Sequence, residues 1–243
     1  MSDEKNSVAN DEPSSAELRS FGRRRGRKAS DRQRTLMETL LPRVAVDPAR
    51  IAAAPEQGLA ALFPTLPREL WLEIGFGGGE HLVWQARANP DVGIVGAEPF
   101  EDGVVKVLDQ IDAGNLTNIR VLADDVRPLL RALPEASIGR AFILFPDPWP
   151  KRRHVKRRLV SPHLLGLLAR VMKPGAELRI GTDIGDYART MLMAFQSEPR
   201  FEWQAVSPAD WRIRPDDWPQ TRYEAKAERE GRRRYYLRFR RMP

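Results

Sequence analysis

The sequence contains no cysteine. Disulfides, thiolate nucleophiles and the usual cysteine-based zinc sites are therefore excluded. Histidine is nearly as scarce, with three in the chain. His81 and His163 fall at helix starts and His154 inside a basic run, so no spacing resembles a metal site. No apolar stretch approaches the roughly 20 residues that a membrane helix needs. The start, Met1-Ser-Asp-Glu-Lys-Asn6, is polar and acidic, without the apolar segment of a secretory signal. These absences predict a soluble, cytoplasmic protein.

Basic charge, by contrast, is plentiful. The 243 residues carry a net charge of +7 and an isoelectric point near 10.0. A surplus of that size favours a polyanionic partner, nucleic acid ahead of an anionic membrane. With 42% hydrophobic residues, the chain is long enough for one full core. Residues 1–35 lack apolar periodicity and read as a disordered tail. The tail contains the cluster Phe21-Gly-Arg-Arg-Arg-Gly-Arg-Lys28, which reads either as solvated chain or as an arm that orders on RNA. The remainder, 36–243, reads as a single domain, expected to be monomeric with a homodimer left open.

From residue 69 onward, short apolar runs alternate with helical stretches. Strands are predicted over 69–75, 92–98, 118–123, 141–145 and 177–181. Helices are predicted over 79–88, 101–111, 162–172 and 186–196. This spacing implies an α/β fold with a doubly wound, mainly parallel sheet. The segments 201–206 and 234–239 both alternate apolar and polar residues and are expected to pair as an antiparallel C-terminal edge.

Open parallel sheets bind ligands beyond the carboxyl ends of their strands. The first strand ends in Glu73-Ile-Gly75-Phe-Gly77-Gly78-Gly79-Glu80. A dinucleotide fingerprint needs glycine or alanine where Glu80 stands, and a P-loop needs a Gly-Lys-Ser/Thr that does not follow. The run instead resembles the first motif of class I methyltransferases, an acidic residue followed by G-x-G-x-G. Glu98 ends the second strand, where a carboxylate suits two ribose hydroxyls. Asp124-Asp125 ends the third, where an adenine amino group could be met. The fourth strand runs into Phe145-Pro-Asp147-Pro-Trp149-Pro150, whose prolines restrict the backbone. Directly after it, Lys151-Arg-Arg-His-Val-Lys-Arg-Arg158 holds six Lys/Arg in eight residues, enough to neutralise several phosphates. Arg229 to Arg241 contains seven more arginines, and its alternation suggests a strand with arginines outward.

Together, Phe145 to Leu159, Gly181-Thr-Asp183-Ile-Gly-Asp-Tyr-Ala188 and Thr221-Arg-Tyr-Glu-Ala-Lys226 resemble the bacterial tRNA (guanine-N7)-methyltransferase family. The similarity runs from about Phe21 to Arg241. The resemblance implies S-adenosyl-L-methionine as cofactor, held by Glu73, Gly75, Gly77, Gly79, Glu98, Asp125 and Asp147, with Asp147 also the catalytic residue. It favours Asp125 over Asp124 as the adenine partner. For tRNA or guanine it implies Lys151, Asp183, Thr221, Arg222, Tyr223 and Glu224, and as target the variable-loop guanine at tRNA position 46. Phosphate contacts are expected from Arg152, Arg153, Lys156, Arg157 and Arg158. Guanine N7 carries a lone pair and no proton, so the expected mechanism is in-line displacement by positioning and electrostatics, without a covalent enzyme intermediate. Three rivals stand beside it: a methyltransferase for small molecules or proteins, a non-catalytic RNA-binding protein, and a nicotinamide oxidoreductase, which Glu80 disfavours.

Overall fold

The computed structural model describes residues 29–243. Residues 1–28 of the expected tail, with the Phe21–Lys28 cluster, lie outside the described residues. The last part of that tail is helical. Helix α1 spans Asp31–Thr39, begun by a capping box in which Ser30 accepts from the Gln33 amide and the Gln33 side chain accepts from the Ser30 amide. Short helices α2 (Leu41–Val44) and α3 (Pro48–Ala53) follow.

The remaining elements are β1 (Glu69–Ile74), α4 (Glu80–Ala88), β2 (Val92–Ala97), α5 (Glu101–Gly114), β3 (Ile119–Leu122), α6 (Val126–Ala132) and β4 (Ile138–Leu144). They continue with α7 (Pro162–Val171), β5 (Met172–Thr182), α8 (Gly185–Gln196), β6 (Phe201–Trp203), α9 (Ala209–Arg212), α10 (Arg222–Arg229) and β7 (Tyr235–Arg241). One seven-stranded sheet has the order β3-β2-β1-β4-β5-β7-β6. Pairings among β1 to β5 are parallel, while β7 pairs antiparallel with both β5 and β6. The doubly wound sheet and its antiparallel C-terminal edge are thus as the sequence predicts. Because the sheet is covered on both faces, Tyr236 and Leu237 are both buried although consecutive, Tyr236 in the core of Trp71 and Leu237 in that of Leu72. A simple inward–outward alternation therefore fails there.

Parallel strands are stable when both faces are covered, and the two cores follow the strand period. Leu70, Leu72 and Ile74 of β1 join a cluster with α3, α6, α7 and α8 residues such as Ile51, Leu129, Leu165 and Met191. Trp71, on the other face, packs with Leu36, Leu82, Val83 and Leu108 of α1, α4 and α5. Each buried Leu or Ile contributes about 1.5–3 kcal/mol. The sheet order reverses between β1 and β4, which pair in register from Trp71↔Arg140 to Ile74↔Ile143. The glycine loop after β1 and the proline loop after β4 therefore leave the sheet side by side.

Candidate active site

The glycine loop is shaped by its own backbone. Gly75, Gly77 and Gly79 all have positive φ (74°, 55° and 78°), a region costly for residues with a Cβ. A Cβ on Gly79 would also come within 2.2 Å of Val107 Cγ2. Beyond Gly75 the space is open, with nothing within 4 Å of where a Cβ would point. The loop is closed onto β2 by Glu98, whose Oε2 accepts from the Gly77 amide at 2.8 Å and whose Oε1 accepts from the Phe100 amide at 2.9 Å. Burial pushes the Glu98 carboxyl above its usual range, against those two amides, and the charges of Asp147 and Glu73 add to the rise.

The proline loop is strained at both ends. Phe145 and Trp149 have φ of 51° and 44°, unusual for bulky residues and a device found at sites that must hold one geometry. Between them Asp147 stays open to solvent on one side, yet the protein wall removes enough water to raise its pKa through desolvation. Arg158 fixes the loop from behind. Its guanidinium donates to the Pro148 carbonyl at 2.9 Å, to Thr190 Oγ1 at 2.5 Å and to Asp186 at 2.5 Å, and lies 4.8 Å from the Tyr187 ring. Arg158 is 6% exposed, so the phosphate contact expected of it is corrected: burial gives it a structural task. Arg157 is half-buried, its guanidinium over the Trp149 ring at 5.1 Å. Lys151, Arg152, Arg153 and Lys156 are exposed on the 3₁₀ turn Arg152–Arg157 and its flank.

The third wall is the start of α10. Thr221 caps the helix, accepting from the Glu224 amide at 3.3 Å. Arg222 forms an ion pair with Glu80 and crosses Gly78, while Tyr223 lies on the loop, 3.0 Å from a Cβ built at Gly77. Tyr223 is about half exposed, and burial is the main cause raising its phenol pKa, with Glu98 and Asp147 close enough to contribute. Glu224 is buried. Its Oε1 accepts from Tyr236 Oη at 2.6 Å and meets Arg214 at 3.2 Å, whereas its Oε2 has no partner.

Glu98, Asp147, Arg222, Tyr223 and Gly75–Gly79 thus converge on one mouth, with Lys151 to Lys156 on its rim. Other expected residues flank it with their carboxylates engaged. Glu73 is buried and accepts from His81 Nδ1 at 2.7 Å. Asp125 caps α6 and is bound by Arg127 Nη2 at 2.6 Å, while neighbouring Asp124 is exposed and accepts from the Asp125 amide at 2.8 Å. Asp183 is paired with Arg232 at 2.6 Å. Sequence reasoning passed over His81 and Glu80 as site-builders and gave Arg158 a phosphate contact in place of its bracing task. For His81 a signal existed: Glu73 shares the face of Trp71, two residues earlier, so a buried carboxylate there needs a donor from the following helix. No group of three or more histidines or carboxylates among the described residues could hold a metal ion. No described helix is long and apolar enough to cross a membrane.

A family model described as "Putative methyltransferase" matches residues 67–237. The tRNA (guanine-N(7)-)-methyltransferase of Rhodospirillum rubrum is 48% identical over 93% of this chain and 89% of its own length. That of Hyphomonas neptunium is 52% identical over 86% of this chain and 93% of its own. Among solved structures, the 16S rRNA methyltransferase KamB superposes with a TM-score of 0.52 at 17% identity, over 80% of this chain and 94% of that one, a likeness of fold alone. On the family model and on relatives aligned over nearly its whole length, this chain belongs to the tRNA (guanine-N(7)-)-methyltransferase family.

Proposed function

We propose that the protein transfers a methyl group from S-adenosyl-L-methionine to N7 of a guanine in the tRNA variable loop. The observation that carries this reading is the strained Asp147 turn beside the glycine-loop mouth, with exposed Lys151, Arg152, Arg153 and Lys156 on its rim. The donor set fits the cofactor. Open space beyond Gly75 admits a ligand against the backbone, and Glu98 has lone pairs left for ribose hydroxyls beyond its two amides. Carboxylates at the mouth suit a ligand that carries a sulfonium and an ammonium. When bound, the cofactor supplies an electrophilic methyl group.

The chain's part is alignment. Guanine N7 needs no base to deprotonate it, so side chains must hold the purine in line and dry. As the purine becomes cationic, the Asp147 carboxylate steadies it. At about 4 Å and an effective dielectric near 20, a unit charge is worth on the order of 4 kcal/mol. Tyr223 offers a ring face at the mouth, and acceptors beside it select guanine through its N1–H and amino group; Glu224, buried beneath, holds the start of α10 through Tyr236 and Arg214. Lys151 and the exposed arginines hold phosphates. Asp125, Asp183 and Glu73 contribute from the flanks, with Asp125 ordering the loop after β3. A methyltransferase for small molecules would leave the cationic rim without a task.

The test is incubation of the purified protein with unmodified tRNA and methyl-labelled cofactor, followed by mass spectrometry of the nucleosides. The expected product is 7-methylguanosine; any other methylated nucleoside overturns the base assignment.

A further inference from the structure

We infer that His81 and Gln85 are positioning residues with separate tasks: His81 orients the Glu73 carboxylate, and Gln85 ties His81 to the segment that carries Arg222 to Glu224. This rests on the cofactor reading above. The two residues are one helical turn apart on α4 and face the same way, toward β1. Both are buried, at 1% and 2% exposure, where polar groups must be satisfied.

The hydrogen bonding has one consistent solution. Gln85 Nε2 lies 2.9 Å from the Asp217 carbonyl, which can only accept, so the amide nitrogen and not its oxygen stands there. The same nitrogen lies 3.1 Å from His81 Nε2 and uses its second hydrogen on it. His81 Nε2 is therefore the acceptor, Nδ1 carries the proton, and Nδ1–H donates to Glu73 Oε2 at 2.7 Å. The imidazole is further held edge-on against Phe142, at 4.6 Å between ring centres, and faces Trp218 at 6.2 Å.

From Asp217 the chain of contacts returns to the mouth. Arg214 donates to the Trp218 carbonyl at 2.7 Å and meets Glu224 Oε1 at 3.2 Å. Trp218 packs edge-on against Tyr236, whose hydroxyl donates to Glu224. Glu224 lies in the first turn of α10, beside Tyr223 on Gly77. The path from Glu73 through His81 and Gln85 to Asp217, along the chain to Trp218, and on through Arg214 and Glu224 to Tyr223 thus begins and ends at the glycine loop. A ligand that pulls on Glu73 and one that presses on Arg222 to Glu224 act on the same circuit of hydrogen bonds, chain neighbours and one packing contact. Coupling of this kind is reciprocal: tRNA tightens the cofactor by the factor by which the cofactor tightens tRNA.

Three variants separate the parts, with cofactor binding measured by titration calorimetry in the presence and absence of tRNA. His81→Leu removes the donor to Glu73 and is expected to raise the cofactor Kd about 10- to 100-fold, the loss of one hydrogen bond to a charged group. His81→Asn, whose amide can take the place of Nδ1, is expected to recover most of that loss. Gln85→Leu leaves Glu73 tethered, so the cofactor Kd without tRNA stays within about threefold of the parent. In the parent, tRNA is expected to tighten the cofactor about fivefold or more, and in Gln85→Leu that enhancement disappears. A His81→Leu protein with the parental Kd overturns the inference, as does a Gln85→Leu protein that keeps the parental enhancement. Far-UV circular dichroism confirms that each variant is folded, and His81→Asn keeps the test open if His81→Leu is not. A parent protein that binds no cofactor sinks the functional reading instead, so the two failures are distinguishable.

Discussion

Replacing Arg158 and replacing Arg152 with alanine should have opposite consequences, although the two lie in one run of basic sequence. The Arg158 side chain is 3% exposed, whereas Asp186, its ionic partner, is 73% exposed. Removing Arg158 therefore strands no buried charge, and the large penalty of a broken buried pair does not apply. What is lost is the charged donor to the Pro148 carbonyl, at about 1.5–3 kcal/mol. The half-solvated pair with Asp186 adds at most about 1 kcal/mol. Arg158→Ala should thus destabilise by about 1.5–4 kcal/mol. In a chain of this length that lowers Tm by roughly 3–16 °C, since each kcal/mol is worth about 2–4 °C. Arg152 is exposed and forms no ion pair among the described residues. Arg152→Ala should leave Tm within about 1–2 °C, consistent with the ±0.5 kcal/mol usual for surface sites. Instead it should weaken tRNA binding and flatten the plot of log affinity against log salt by about 0.7–0.9. Differential scanning fluorimetry and filter binding at several salt concentrations read the two effects. An Arg158→Ala protein with unchanged Tm and a flattened salt plot would refute the division of the run into a buried brace and an exposed rim.

Asp147→Asn keeps the shape of the proline loop and deletes its charge. On the order of 4 kcal/mol of lost stabilisation corresponds to a fall in kcat/KM of about a thousandfold, and a loss under tenfold would remove Asp147 from the electrostatic role. Desolvation raises the pKa of Asp147, so its carboxylate is fully present only above that raised value and disappears as pH falls through it. Activity should accordingly decline on the acid side at a higher pH than an ordinary aspartate would give. Asp147→Asn should erase that limb, and a limb that survives unchanged belongs to Glu98, whose pKa burial also raises. Gly79→Ala places a Cβ at φ 78° and within 2.2 Å of Val107 Cγ2, which should destabilise by about 1–3 kcal/mol and abolish cofactor binding. Normal binding with parental Tm would mean that the loop readily rearranges.

The strands were legible because each is a short apolar run bounded by turn residues, and the sheet's parallel character followed from the helices between them. The helices that sequence reading missed are those whose stability comes from elsewhere. In α10, Arg222–Arg229, the apolar side is slight, with only Tyr223, Ala225 and Ala227 apolar among charged residues; the helix is held by the Thr221 cap and by Glu224 reaching Tyr236. The pattern Thr221-x-x-Glu224 was nevertheless a start signal of the capping-box type. In α6, Val126–Ala132, Pro128 masks a helix that tolerates it within the first turn. For the site, spacing located the glycine loop, the Asp147 turn and the rim, since those are consecutive residues at strand ends. It did not separate Arg158 from its neighbours, because the distinction is burial against Tyr187 on α8, which no local pattern encodes. His81 was hidden in the same way, as its meaning lies in a carboxylate eight residues earlier on a packed face.

A mouth lined with carboxylates must still admit a polyanion, and the distribution of donors around it explains how. Glu98 is capped by two amides, Glu73 by His81, Asp125 by Arg127 and Asp183 by Arg232. Arginines balance the charges of Asp125 and Asp183, whereas Glu98 and Glu73 are buried and held by neutral donors, which fix the carboxylates without cancelling their charge. Lys151, Arg152, Arg153 and Lys156 are exposed and enter no ion pair among the described residues. Their field is screened only by salt, over about 8 Å at physiological ionic strength. At the distance from which a phosphate backbone approaches, the rim therefore outweighs the pocket, and the pocket's charges become relevant only on contact. Asp147 is the exception that proves useful: it lies between the two regions, and no donor among the described residues neutralises it. Among the described carboxylates of the mouth, Asp147 has neither a hydrogen-bond donor nor an ionic partner, and it stands where a purine turning cationic would need it.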